Sequence, residues 1–578
     1  MLHATAIPLL LFCNASFFPP PQDHSPIEHL PGGCQIVIDA PGLGALLEGG
    51  LDQPWIQRLR SFPGVAAALE NANMSPEAAV GLASAFLGRP LFPALAELCE
   101  DGLALGLRVE GGEPQPYLAL RSADADELEW LVEHLLTQTE RAQDLPRGSL
   151  LDAGRSHPGY PGTRVWKLGE ELAFALRGPL LLASKTRFDV DAMLNAPGSG
   201  VINGESWKRE VRAFDERSDA RLWVDVEGLE AALGPDSTAD LRRLGNDPGV
   251  HFVLGSEIAR LSGMKRACFE LFADRDTARL QFHSFGGAQI QIPALHPGDL
   301  PAPPLPTARD TELLRGHLYR NFDALFEHRQ DLFGVEAQPK FAEAAANLSL
   351  FLGGADVEED IFPHLSPWFG LIAREVEMRP KPDLLLPAVC LVAYLDEPEI
   401  LGPRLVAGFQ TAIGFVNIDA AQEREPSMVL SLEQHQGIPI SLARYLAPPE
   451  GEGVDARFNL VPACALVGDT FVLGTHVSLV REVAAQLQAG DVGPAQQAID
   501  RLEVDGAALH RTFAANVDGL VLNAVLSEGK APAVARRKVD ALLTLTKLIE
   551  RAEATLTDPA AGRVGLELSL ELLPWKKK

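Results

Sequence analysis

At 578 residues the chain is too long for a single hydrophobic core, so two large domains or several smaller ones are expected. Its 46% hydrophobic and 22% charged content is ordinary for a globular protein. The 50 basic and 78 acidic residues leave a formal net charge of −28; such a surface repels phosphate backbones and anionic lipid headgroups, and nucleic acid is not expected as a partner.

The chain opens with a short apolar stretch, Ala6 to Phe12, followed by small residues at Cys13 and Ala15 and a proline-rich segment from Phe17 to Pro21. This pattern predicts a signal peptide over residues 1–16, a proline-rich linker over 17–26 and an exported protein, periplasmic or extracellular, soluble or peripheral. A positive n-region is missing, because Arg58 is the first Lys or Arg. Beyond this segment no run approaches the roughly 20 apolar residues that a membrane helix needs, so no transmembrane segment is expected in the mature chain.

Further on, the chain repeats itself at long range. Leu91-Phe-Pro-Ala-Leu95 resembles Ile361-Phe-Pro-His-Leu365, and the apolar run Pro116–Leu120 resembles Pro387–Leu391. Ala175–Ser184 resembles Ala465–Thr475 with one residue inserted. The shared order at nearly constant offset predicts an internal duplication. His296–Pro306, rich in proline, cannot continue a helix or a central strand. It is read as a linker over 297–307, between a first domain at 27–296 and a second at 308–575.

Local patterns give the fold class. Leu128, Leu131, Val132, Leu135 and Leu136 follow the helical period within Asp124–Ala142. Val539, Leu542, Leu543, Leu545, Leu548 and Ile549 do so within Ala535–Leu556. Cys268–His283 and Met428–Leu442, turning near Gly437, alternate as β-hairpins, and Val564–Leu572 as a half-buried strand. Hairpins plus helices predict an α+β protein: two similar domains with mainly antiparallel sheets backed by amphipathic helices. A smaller unit recurs too. Ile36–Leu47 aligns with Leu222–Leu233, and Leu502–Leu509 is a looser copy. Each reads as a strand ending at Asp39, Asp225 or Asp505 and then a helix, whose free N–H groups and dipole suit a carboxylate cap.

The motifs that carry chemistry are weak. Gly42-Leu-Gly44 stands where a dinucleotide fingerprint would, but Leu47 replaces the third glycine, and the sister copy places Glu227 and Glu230 where a pyrophosphate would lie. Phosphate-loop, nucleophile-elbow and zinc-protease signatures are absent. His317 and His328, if on one helix, would lie about 16 Å apart, too far for joint metal ligation, and read as a solvated pair. Ser156-His157 lies in a polar loop, and adjacent residues rarely meet as nucleophile and base. Asp356–Asp360 lacks the glycine and spacing of a calcium loop and reads as a helix cap. Arg536-Arg-Lys538 reads as a solvated helix face. Of the six cysteines, Cys99, Cys268, Cys390 and Cys464 sit in apolar contexts and read as buried free thiols; no pair has metal-ligand spacing.

The repeated unit, with Leu30-Pro31, the strand Gln35–Asp39 and the segment Phe351–Leu365, resembles a group of exported bacterial proteins known only as a domain of unknown function. The first copy departs from the pattern at Gly88-Arg-Pro90, where the acidic step is replaced. The resemblance implies export and fold, and brings no catalytic residues with it. The expected function is therefore a non-catalytic binding or scaffold protein of the cell envelope, with an unknown protein or a hydrophobic small molecule as partner. An extracytoplasmic carrier for a hydrophobic ligand and a hydrolase with an unrecognised site stand as alternatives. No catalytic, cofactor-binding or metal-ligating residue is assigned, and no cofactor is expected.

Overall fold

The structure, a computed structural model, describes residues 25–47, 76–234 and 264–572, except 170–171, 198, 202–203, 205–206, 208–217, 274–276, 286–291, 296–299, 334, 380, 447–454, 496–499, 530 and 558–562. The expected signal peptide, Cys13 and most of the 17–26 linker lie outside the described residues. The described chain falls into two units, a first of residues 25–234 and 264–285 and a second of residues 292–572.

In the first unit, alternating apolar residues build β1 (Ile36–Ala40), β2 (Leu103–Glu110), β3 (Glu113–Arg121), β4 (Arg155–Ser156), β5 (Thr163–Leu168), β6 (Leu172–Arg177), β7 (Leu180–Ser184), β8 (Ala220–Asp225), β9 (Arg266–Ala273) and β10 (Thr277–Phe285). Every pairing is antiparallel, in the order β10-β9-β8-β1-β2-β3-β7-β6-β5-β4. Both faces are covered. On one, the helix Ala125–Ala142 buries the five residues of its apolar stripe against Trp166, Phe174 and Leu181. Asp124 caps it by accepting from the N–H groups of Asp126 and Glu127. On the other, the helix Arg187–Asn195 packs Val190, Met193 and Leu194 with Val37, Tyr117, Trp223 and Cys268.

The second unit comprises β11 (Glu312–Tyr319), β12 (Leu365–Arg374), β13 (Ala388–Leu395), β14 (Met428–His435), β15 (Ile438–Tyr445), β16 (Ala463–Val467), β17 (Thr470–Gly474), β18 (Asp500–Asp505), β19 (Ile549–Thr557) and β20 (Arg563–Leu572). Its order is β20-β19-β18-β11-β12-β13-β17-β16-β15-β14, again antiparallel throughout. Strand for strand, this is the order of the first unit. The registers correspond as well. Asp225 stands opposite Arg266 as Asp505 stands opposite Arg551, and Arg221 faces Asp39 as Arg501 faces His317. Helices Pro398–Glu423 and Val477–Ala489 cover its two faces, the first through Leu401, Phe409 and Ile413, the second through Leu479, Val480 and Val483.

The repeats seen in the sequence fall at matching places. Ala175–Ser184 spans the β6–β7 turn and Ala465–Thr475 the β16–β17 turn. Gly178 and Gly468 take positive φ in those turns (56° and 60°). The two Phe-Pro segments lie between the first and second strands of their units. Leu91–Leu95 opens an eight-residue helix, whereas Ile361–Leu365 makes a short 3-10 turn into β12.

Three expectations are corrected. Ala535–Leu556 is not one helix: the helix Pro532–Thr546 stops and Ile549–Thr557 is β19, because cross-strand pairing with β18 and β20 overrides the local period. The first domain does not reach 296, since Tyr319 and Asn321 of the second unit donate to the Ala294 carbonyl. Nor do residues 300–307 of the expected linker stand between domains: they belong to the second unit. Ala302 and Leu305 are buried in the second unit. His317, Tyr394 and Arg315 donate to the carbonyls of Pro303, Pro304 and Pro306. Proline cannot donate, but its carbonyl accepts freely, and here side chains from β11 and β13 supply the donors.

Candidate functional site

The residues singled out by motif prove structural. A Cβ at Gly44 would meet the Ala96 carbonyl at 2.8 Å and the Glu100 Cα at 2.9 Å. Gly44 therefore serves the close approach of the helix Leu43–Leu47 to the helix Leu91–Leu98. At the sister turn Glu227 bonds Lys265 at 2.8 Å, which holds its carboxyl below the usual range. Asp225 and Asp505 cap their helices, accepting from the N–H of Gly228 (3.1 Å) and of Ala508 (2.7 Å).

His157 uses both ring nitrogens away from Ser156. Nδ1 accepts from the Gly159 N–H at 3.1 Å, so Nε2 carries the proton and donates to Asp191 at 3.1 Å. His157 is therefore not a base for the Ser156 hydroxyl. His317 and His328 do not share a helix: His317 is buried in β11, with Nε2 donating to Pro303, while His328 ends the helix Phe322–Glu327. The solvated-pair reading fails for His317, since strand alternation turns its ring inward. Asp356 caps the turn Val357–Asp360, and Asp360 and Glu358 are matched by Arg404 and Arg329. Arg536 bonds Asp540 one turn on, at 3.1 Å, on an exposed face. Cys34, Cys99, Cys268, Cys390 and Cys464 are buried free thiols. Burial pushes Cys99 up to about 11 and the others to about 12, far from reactive thiolates. Among the described residues no cluster of three or more His, Cys, Asp or Glu could hold a metal ion.

Asp39 departs from its expected role as a cap. On β1 it faces Arg221, which pairs in turn with Glu270 of β9 at 2.8 Å; Asp39 itself stands 4.0 Å from Arg221. Glu270 is fully buried, with His283 3.8 Å from its second oxygen. Burial raises Asp39 to about 6, and Arg221 offsets only part of that rise. Arg221 thus stands between two buried carboxylates, and burial favours the neutral acid at Asp39. The cluster lies on the core-facing side of the strands and is a buried polar network within the fold.

The site that motif reading missed is the outer edge of the second sheet. β14 pairs along its full length with β15, from Met428↔Tyr445 to His435↔Ile438, and among the described residues it takes no other strand. Gln436 and Gly437 close this hairpin with φ of 52° and 85°, the left-handed pair of a two-residue turn. Asn417 of the covering helix fixes the strand's start, donating to the Met428 carbonyl at 2.9 Å and accepting from its N–H at 2.7 Å. Leu430 and Leu432 lie on that helix's side, opposite Ala443 and Ser441; Val429 and Glu433 lie on the other. Leu430, Leu432 and Val429 are exposed by 40%, 69% and 43%. Glu433 is held by Arg481 through two bonds of 2.6 Å. The edge thus runs without a register shift, apolar at Leu430 and Leu432 on the helix side and at Val429 on the other, where Glu433 is matched by Arg481 and Arg444 stands opposite Val429. The hairpin pattern of 428–442 was legible in sequence; its position at an edge was not.

No family model matches the chain, and no curated protein matches it. Among solved structures, crystal form I of TP0453 aligns at 12% identity and a TM-score of 0.24, over 47% of this chain and 83% of that one. Crystal form IV aligns at 9% identity and a TM-score of 0.19, over 45% and 80%. Among the described residues no helix is long and apolar enough to cross a membrane.

Proposed function

We propose that this chain is an exported, non-catalytic binding or scaffold protein of the cell envelope, built by internal duplication, that engages its partner by strand addition at β14. The duplication is supported by the common strand order of the two units and by the matched sequence segments. The binding role rests on one observation: an eight-residue edge strand with exposed Val429, Leu430 and Leu432. Natural sheets blunt such edges with short strands, charges or proline, because unpaired N–H and C=O groups recruit another strand. An edge kept long and apolar fits recognition in which backbone bonds give affinity and alternate side chains give specificity.

The test is capture from the native envelope, with proteins and lipids analysed together by mass spectrometry. Wild type is compared with a Leu430→Lys, Leu432→Lys variant. A protein held by wild type and lost by the variant is the expected result. Identical captured sets would remove β14 as the site, and an apolar ligand held by both forms would favour the carrier reading. Export is checked by fractionation and N-terminal sequencing, which should find a mature terminus close to residue 16. A chain retained in the cytoplasm with Met1 in place would overturn it.

A further inference from the structure

The pattern of β14 also specifies an occupant. This step rests on strand addition at β14 as the mode of binding. An edge row of free backbone donors and acceptors is completed only by another strand, and strand addition fixes the register of the side chains on both faces. When two copies of one strand pair antiparallel about a two-fold axis normal to the sheet, one residue lies on the axis and its neighbours exchange places.

With Ser431 on that axis, Leu430 of each copy faces Leu432 of the other. On the side of the helix Pro398–Glu423 this brings four exposed leucines into one patch. On the other side Val429 faces the aliphatic stem of Glu433, whose charge Arg481 already neutralises, so no like charges oppose each other. Moving the axis to Leu432 would set Leu430 against Gln434 and Val429 against His435, apolar against polar. Charge also selects the occupant. On a chain of −28 this strip has its one carboxylate, Glu433, already held by Arg481 and has Arg444 exposed opposite Val429, so it gives a cationic peptide nothing to pair with locally. It can meet an identical strip, since more distant charges are screened beyond about 8 Å in physiological salt.

We propose that the partner at β14 is β14 of a second copy of this chain, paired antiparallel with Ser431 on the two-fold axis, so that two second-unit sheets become continuous.

Sedimentation and light scattering of the full chain should find twice the chain mass at micromolar concentration. The dimer should strengthen as salt is raised, because salt screens the repulsion between two acidic copies; a cationic peptide partner would show the opposite dependence. Leu430→Lys with Leu432→Lys should give a monomer that still unfolds cooperatively, with a melting temperature that no longer depends on protein concentration. In a Cys13→Ser background, Ser431→Cys should form a disulfide-linked dimer on mild oxidation, because residue 431 meets itself. Val429→Cys should not, because residue 429 meets 433. A wild type monomeric in low and high salt overturns the proposal, as does a dimer that survives the two lysines or cross-links equally at 429. If wild type is monomeric but the lysine variant loses an envelope protein that wild type captures, strand addition stands and self-pairing falls. If the variant retains everything that wild type captures, strand addition falls as well.

Discussion

Two sheets of the same strand order end very differently. In the first unit the outermost strand, β4, is two residues long and offers Arg155 and Ser156 to solvent. In the second the equivalent strand, β14, runs eight residues and exposes three aliphatic side chains. The inner strands of both sheets are buried on two faces, which favours apolar residues there in both units. The edge has no such constraint. A short polar edge is the ordinary defence against unwanted pairing, and its absence in only one of two equivalent places is difficult to attribute to folding.

The comparison can be broken most severely at its centre. Ile38 of β1 faces Leu222, and Gly316 of β11 faces Leu502 at the equivalent register. A Cβ at Gly316 would come within 2 Å of the Arg501 carbonyl oxygen, and backbone there has nowhere to move. Gly316→Ile, which copies the first unit into the second, should cost about 3 kcal/mol or more in chemical denaturation. A near-neutral result would mean that β11 and β18 can move apart to admit the side chain.

The next largest effect is on pH dependence, at Asp39, where the second unit carries His317. Burial raises Asp39 to about 6, above the roughly 4 of an unfolded chain. The folded state then keeps a proton that the unfolded chain releases. The stability due to this group is full below about pH 4 and is lost as pH rises to about 6, an effect on the order of 2–3 kcal/mol. Asp39→Asn should flatten the stability profile in that window. An unchanged slope would show that Asp39 holds no proton in the folded state over that window.

Smaller again are the paired caps. Asp225→Ala and Asp505→Ala should each cost roughly 0.5–2 kcal/mol and leave partner binding intact once folded. A variant that melts like wild type yet loses binding would make that Asp a functional residue. Least of all, Leu432→Lys should change stability by no more than about 0.5 kcal/mol, because its side chain is already in water. Its effect should appear in association alone, and a large fall in melting temperature would show that Leu432 is packed.

What the sequence determined by itself is whatever depends on neighbours along the chain. The stripe Leu128–Leu136, the hairpins at 268–283 and 428–442 and the caps at Asp225 and Asp505 are local patterns, and each formed as its spacing requires. The repeats at Pro116–Leu120 and Pro387–Leu391, and at Ala175–Ser184 and Ala465–Thr475, fell at equivalent strands because their apolar positions answer to the same burial, whereas the two Phe-Pro segments took a helix and a 3-10 turn. Tertiary structure decided the rest. It turned Ile549–Thr557 from the end of a helix into a strand, since ladder bonds with β18 and β20 outweigh helical period. It drew the prolines of 303–306 into the second unit, since their carbonyls found donors on β11 and β13. It left Asp39 sharing Arg221 with Glu270, 231 positions away in sequence. It also put Leu430 and Leu432 at an edge. An edge is defined by the strand that is not beside it, and strand neighbours are chosen by long-range pairing that no local pattern records.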